Sequence, residues 1–424
     1  MNTILGAQKK DWIYIILAPV FGFVILGLYL FLLHFLEIPN SSTTLAYIIF
    51  FIAYSVLFDI NHYFSTYYRV FLDKSYYQEN KNWMIPALLF ITIIPLMGFW
   101  WISHEAFSSK GYYFFVFFRK FVLILGFYHL VQQNWGFMAL YKKQANERKT
   151  KINWDKLSVL SGSFIPLILL NSIDPIWFTG SEVYIFDPIP ERKAAVIEWW
   201  HQIAYLNFVF AFILGSIALL FKRFQYQIPA RNMALFCLFT GLLIFSILKW
   251  NAELVLTTLL VIVSLIFVVS IIQAIRFQIS EKSMNWKKWG VLITTLILYF
   301  GVILFPIEGD KFIIVAAITL PHNIQYLAFV PSFSKKQFSQ GKKDHGLAKK
   351  LSQKIVLLFL LGVGFSLVFE FGRTGVNHIL PESMNATKVF VSVFFIVLIL
   401  HHYYLDAVIW KFSKDKDLEN TRKG

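Results

Sequence analysis

Five of the ten histidines sit inside long apolar segments, where ionisable side chains are costly and mark function. His62 lies in Asp59-Ile60-Asn61-His62-Tyr63-Phe64-Ser65-Thr66, and His129 in Tyr128-His129-Leu130-Val131-Gln132-Gln133-Asn134. His322 lies in Leu320-Pro321-His322-Asn323-Ile324-Gln325-Tyr326, while His401 and His402 open His401-His402-Tyr403-Tyr404-Leu405-Asp406. Polar neighbours recur three or four residues away, on the same face if the segments are helical. They are Asp59 and Thr66 for His62, Gln132 and Gln133 for His129, Gln325 and Tyr326 for His322, and Asp406 for His402. Neutral imidazoles oriented by nearby carboxylates or amides form a donor set suited to Fe(II), Zn or Cu. His62, His129, His322, His401 and His402 are therefore the candidate metal ligands. Asp59, Asp406 and Tyr326 are the candidate catalytic groups, and Gln132, Gln133 and Gln325 the candidates for holding the cofactor.

The distances to the next basic residues place these histidines at one depth. His129 precedes Lys142 by thirteen residues, His322 precedes Lys335 by thirteen, His62 precedes Lys74 by twelve and His402 precedes Lys411 by nine. At about 1.5 Å rise per residue the differences amount to one helical turn, so four helices should bring imidazoles into one layer. Arg69, seven residues after His62, makes the match weakest there. In the doublet, His402 and Asp406 are four apart and share a face, whereas His401 and Asp406 are separated by about 140°. His402 is expected at the centre with Asp406, and His401 at its edge.

The elements that must carry these residues are legible from composition. With 57% hydrophobic and only 15% charged residues, the chain lacks the polar surface of a soluble domain, which is roughly a quarter charged. Apolar segments fall at about 12–36, 44–68, 83–103, 112–141, 157–178, 199–221, 232–250, 253–275, 289–307, 311–332, 354–372 and 388–411. Each approaches the roughly 20 residues that a membrane-spanning helix needs. The expectation is an all-α polytopic bundle of about 12 transmembrane helices, a single integral membrane domain over residues 1–424. Segments seven and eight, separated only by Lys249–Glu253, form a tight hairpin or one broken helix, and Phe178–Ile197 caps the outer end.

Charge sets the orientation. The odd-numbered connections are poor in Lys and Arg, whereas the even-numbered ones are basic, as in Lys142, Lys143, Arg148, Lys149 and Lys151. That alternation puts the even connections and both termini in the cytoplasm. The net charge of +15 thus reads as topology and contact with membrane lipids, and nucleic acid is not an expected partner. The first apolar stretch is too long for a cleavable signal peptide. A single cysteine, Cys237, excludes an internal disulfide and a Cys-based zinc site. Phosphate-loop, Rossmann and HExxH signatures are missing, which argues against nucleotide hydrolysis and zincin-type proteolysis.

In segments ten and twelve the chain resembles the bacterial Brp/Blh family of carotenoid-cleaving membrane oxygenases. Leu320-Pro321-His322 resembles the start of that family's PHG-type segment, with Asn323 in the glycine's place. His401 and Asp406 resemble its His-to-Asp spacing. The resemblance implies a bacterial inner-membrane protein in which His322 and His401 ligate non-haem Fe(II), with O2 and a lipophilic substrate as partners. Position in the layer adds His62 and His129 to the set. Two other readings use the same layer: an ion- or proton-coupled transporter or channel, and a transferase acting on a lipid-linked substrate.

Overall fold

The computed structural model describes residues 3–35, 52–104, 109–148, 150–173, 238, 252–281, 284–304, 312–340, 343–379 and 385–409. Every regular element among them is helical. In chain order these are α1 (Gln8–Asp11), a π-helical turn (Trp12–Ile16), α2 (Ala18–Phe35), a second π-turn (Ser55–Asp59) and α3 (Ile60–Phe71). Next come α4 (Lys74–His104), α5 (Ser109–Gln144), α6 (Trp154–Ile173), α7 (Ala252–Ser280) and α8 (Trp286–Ile303). The chain continues with α9 (Phe312–Gln340), α10 (Gly346–Ser352), α11 (Ile355–Ile379) and α12 (Asn385–Ile409).

Six of these helices are long and apolar enough to cross a membrane: α4, α7, α8, α9, α11 and α12. A seventh span is made if Gln8–Ile16 and Ala18–Leu32 count as one helix bent by 47°. Segment six, segment seven apart from residue 238, the outer loop 178–197 and the C-terminal tail lie outside the described residues. Burial separates centre from rim. The apolar window of α9 is 67% buried, that of α7 only 11%. Val261, Leu265, Val268, Val269 and Ile272 of α7 point outward, a large apolar face of the kind that lipid covers.

α9 is the hub, packing on α2, α3, α5 and α8, while α7 lies against α6 at the rim. One close approach follows directly from sequence. Pro321 has no N–H, so the carbonyl of Ala317, four residues earlier, loses its donor within the helix. That carbonyl faces Gly22 of α2 so closely that a Cβ at position 22 would collide with it. Glycine is what lets α2 lie against the proline-interrupted turn just before His322.

Among the described residues, the even-numbered connections meet at one end of the bundle, as the charge alternation leads one to expect. Lys288 at the start of α8 pairs with Glu147 (3.1 Å) and Asp155 (3.2 Å) from the α5–α6 region, and Lys142 also pairs with Asp155. Lys287 reaches Asp11 near the N-terminus at 3.2 Å. Across the same end, Lys74 pairs with Asp344 at 2.7 Å, and His345 Nδ1 lies 2.9 Å from Asp73. The Lys74 ammonium and the Gly346 N–H hold the exposed Asp344 carboxyl below its ordinary pKa. Arg69 is 2% exposed and bonded to Asp73 (2.6 Å) and Gln337 (2.5 Å), so it is a buried structural residue.

Candidate metal centre

Four helices bring the site together in a ring. α3 packs on α9 and α12, and α5 packs on the same two from the other side. α3 contributes the stripe His62, Thr66 and Arg69, spaced four and three residues apart on one helical face, with Asp73 just beyond its C-terminal end. His322 and Tyr326 share a face of α9, and His402 and Asp406 a face of α12. The polar stripes turn inward because no other environment in an apolar bundle satisfies them.

The imidazoles of His62, His129, His322 and His402 form a quadrilateral. Ring centroids are 5.0 Å apart for His62–His322, 4.9 Å for His129–His322, 5.1 Å for His129–His402 and 4.6 Å for His62–His402. Two sets of ligand atoms lie within 4.8 Å of one another: His62, His322 and His402, and then His129, His402 and Asp406. His62, His322, His402 and Asp406 are buried and His129 nearly so. The spacing fits coordination. Ligand nitrogens about 2.1 Å from one ion stand roughly 3.0 Å apart at a right angle, and His62 Nε2 lies 3.0 Å from His402 Nε2. Both ring nitrogens of His322 and Nε2 of His129 are buried without a hydrogen-bond partner. Orphaned buried nitrogens are costly, and a cation between them removes that cost. These buried His and Asp groups can hold a metal ion.

The proton count around Thr66 sets the tautomer of His402. Thr66 Oγ1 lies 2.8 Å from His402 Nδ1, 2.7 Å from Asp406 Oδ1 and 2.8 Å from Tyr326 OH. Tyr326 OH donates to Asp406 Oδ1 at 2.6 Å. A carboxylate only accepts, so the Thr66 hydroxyl also gives its single proton to Asp406. Its oxygen then accepts from His402 Nδ1–H. That leaves the lone pair of His402 on Nε2, which faces His62 and stands 3.7 Å from Asp406 Oδ2. Because His402 offers only Nε2, the two ligand sets sharing it are alternatives around one ion. His129 Nε2 is 3.6 Å from the same Asp406 oxygen.

His401 is not in this ring. Successive helical residues diverge by about 100°, and His401 turns toward α4. Its Nε2 lies 2.9 Å from Thr92 Oγ1 and 3.0 Å from the carbonyl of Leu88. A carbonyl accepts only, so Nε2 carries the proton there and offers no lone pair. The His-to-Asp spacing of the family resemblance thus points to the wrong member of the doublet as the centre-facing one.

The amides hold helices rather than imidazoles. Gln133 Nε2 donates to the backbone carbonyl of His322 (3.1 Å) and to Gln325 Oε1 (2.9 Å). Gln325 in turn donates to the Ile15 carbonyl at 3.0 Å and to Asn134 Oδ1 at 3.3 Å. Gln132 Nε2 is buried with no hydrogen-bond partner. Asp59 lies one turn before His62 and accepts from Asn323 Nδ2 at 3.3 Å and Tyr54 OH at 3.5 Å. Tyr403, which carries no sequence signal beyond its place after the doublet, stacks on His129 with centroids 4.8 Å apart and 29° between planes. Gly126 makes room, since a Cβ there would come within 2.6 Å of the Tyr403 hydroxyl. No family model matches the chain, and comparison with characterised proteins and solved structures likewise finds no match.

Proposed function

We propose that the chain is a multi-pass membrane protein that binds one Fe(II) in the His62–His129–His322–His402–Asp406 ring and oxygenates a lipophilic substrate. The observation that carries this reading is the pair of overlapping triads, His62–His322–His402 and His129–His402–Asp406, that share His402 inside an apolar bundle. Neutral histidines with a single carboxylate suit a redox-active first-row ion, which supplies O2 activation when bound. The chain's own part is positional. Thr66 and Tyr326 hold Asp406, Thr66 keeps the proton of His402 on Nδ1, and Tyr63 and Tyr403 wall the centre from either side. The Brp/Blh resemblance favours an isoprenoid or similar lipid as substrate, and the membrane is the bacterial inner membrane with both termini in the cytoplasm.

The transporter and transferase readings need no redox metal, so oxygen uptake separates them from this one. Protein loaded with Fe(II) should consume O2 when supplied with a total lipid extract of bacterial membranes. Metal-free and Zn-loaded protein should not. Equal uptake by all three preparations, or none by the iron form, would remove the oxygenase reading.

A further inference from the structure

A second polar group stands beside the histidine ring, on the side away from the basic end of the bundle. It is built from Tyr54 and Asp59, which bracket the π-turn Ser55–Asp59, and from Thr319 and Asn323 of α9. Single π-turns are rare and occur mostly at functional sites, because the inserted residue widens the helix locally. Tyr54 and Asn323 are buried, while Asp59 and Thr319 are half-buried, so the group is partly accessible.

The donors and acceptors leave a defined remainder. Thr319 Oγ1 is hydrogen-bonded to Tyr54 OH and lies 2.8 Å from the Val315 carbonyl. Asn323 Nδ2 donates to Asp59 Oδ1 at 3.3 Å. Because a carboxylate accepts only, this contact fixes which end of the Asn323 amide is which. Asn323 Oδ1 is thereby an acceptor, and it is buried with no donor. A buried acceptor left unmade is costly, and what satisfies it must carry a hydrogen-bond donor. An ether, a ketone or a hydrocarbon does not. Asn323 is the residue next to His322, and Asp59 precedes His62 by three residues, about 4.5 Å along the helix.

We infer that this group binds the hydroxyl end of the lipophilic substrate, and that the substrate class is therefore a lipid alcohol. That the alcohol is a substrate rests on the proposed metal centre, and that it is bound here rests on Asn323. A long-chain polyene alcohol, its methyl ether and the parent hydrocarbon supply the probes, read by energy transfer from the protein's 13 tryptophans. The alcohol should bind at least about tenfold more tightly than either analogue, because a site built around a hydroxyl rejects ligands without one. Asn323→Leu should erase that preference while leaving iron content unchanged. Equal binding of alcohol and ether by the wild-type chain, no binding of any probe, or a preference that survives in Asn323→Leu overturns the inference. The wild-type comparison stands even if the variant fails to fold. Iron measured in the same samples keeps the two readings apart. Iron-free protein that still prefers the alcohol sinks the oxygenase alone, and iron-loaded protein without the preference sinks the hydroxyl site alone.

Discussion

His402→Ala abolishes metal binding, and His401→Ala leaves it intact. The two residues are adjacent and chemically identical, so the contrast isolates geometry. His402 belongs to both sets of converging ligand atoms, and its Nε2 lone pair is pointed inward by the proton held on Thr66. Removing it leaves His62 and His322 on one side and His129 and Asp406 on the other. His401 Nε2 is protonated against the Leu88 carbonyl, so its loss costs about 1–3 kcal/mol of stability at the α4–α12 contact without touching the centre. Thr66→Val keeps the shape of the side chain but removes the acceptor that fixes the tautomer, and should weaken metal affinity by about ten- to a hundredfold. Equilibrium metal titration of each variant, after size-exclusion confirms a folded detergent complex, reads all three. Full metal in His402→Ala with loss in His401→Ala would show that the family spacing was the better guide.

Lys288→Met should be the most destabilising single change outside the metal centre. The Lys288, Glu147 and Asp155 side chains are 1%, 2% and 3% exposed, and Lys142 completes a cluster of two cations and two anions. Deleting Lys288 leaves two buried carboxylates sharing one ammonium, a defect that costs about 3–5 kcal/mol. The cluster ties the α5–α6 connection to the start of α8, so the loss should appear as a lower apparent melting temperature of the whole bundle. Arg148→Ala serves as the control. Arg148 is 69% exposed in its pair with Glu281, and such surface pairs are worth about 0–1 kcal/mol. Adding Glu147→Gln to Lys288→Met should recover part of the loss by removing one stranded charge. A Lys288→Met protein that melts with the wild type would contradict the reading of this cluster.

Much of the ring could be read from the sequence because two strong rules act together there. Apolar length marks which segments are helices, and the equal thirteen-residue spacing of His129 and His322 from the next lysine puts them at one level of the bundle. The angle between His401 and His402 follows from helix geometry alone, which is why Asp406 selects the second of the pair. Thr66 was visible only as a polar neighbour of His62. Its bonds run across the bundle to His402, Asp406 and Tyr326, contacts 260 to 340 residues away in sequence that no local spacing encodes. The bonds of Gln133 and Gln325 are not legible for a related reason: an amide meets a backbone carbonyl as readily as an imidazole, and backbone partners leave no trace in residue types. An arginine near a span end reads as exposed from sequence, and only the bonds to Asp73 and Gln337 show that Arg69 is buried. The π-turn at Ser55–Asp59 has no sequence signature, so the hydroxyl site beside it was not legible at all.

The central claim, that the ring is a metal centre, is tested most directly by the metal content of wild-type protein purified without chelator and reconstituted anaerobically with Fe(II). Elemental analysis should find about one iron per chain, lost in His402→Ala and retained in His401→Ala, since both ligand sets include His402 and neither includes His401. Wild-type protein that is folded, monodisperse and free of bound metal after reconstitution would contradict it.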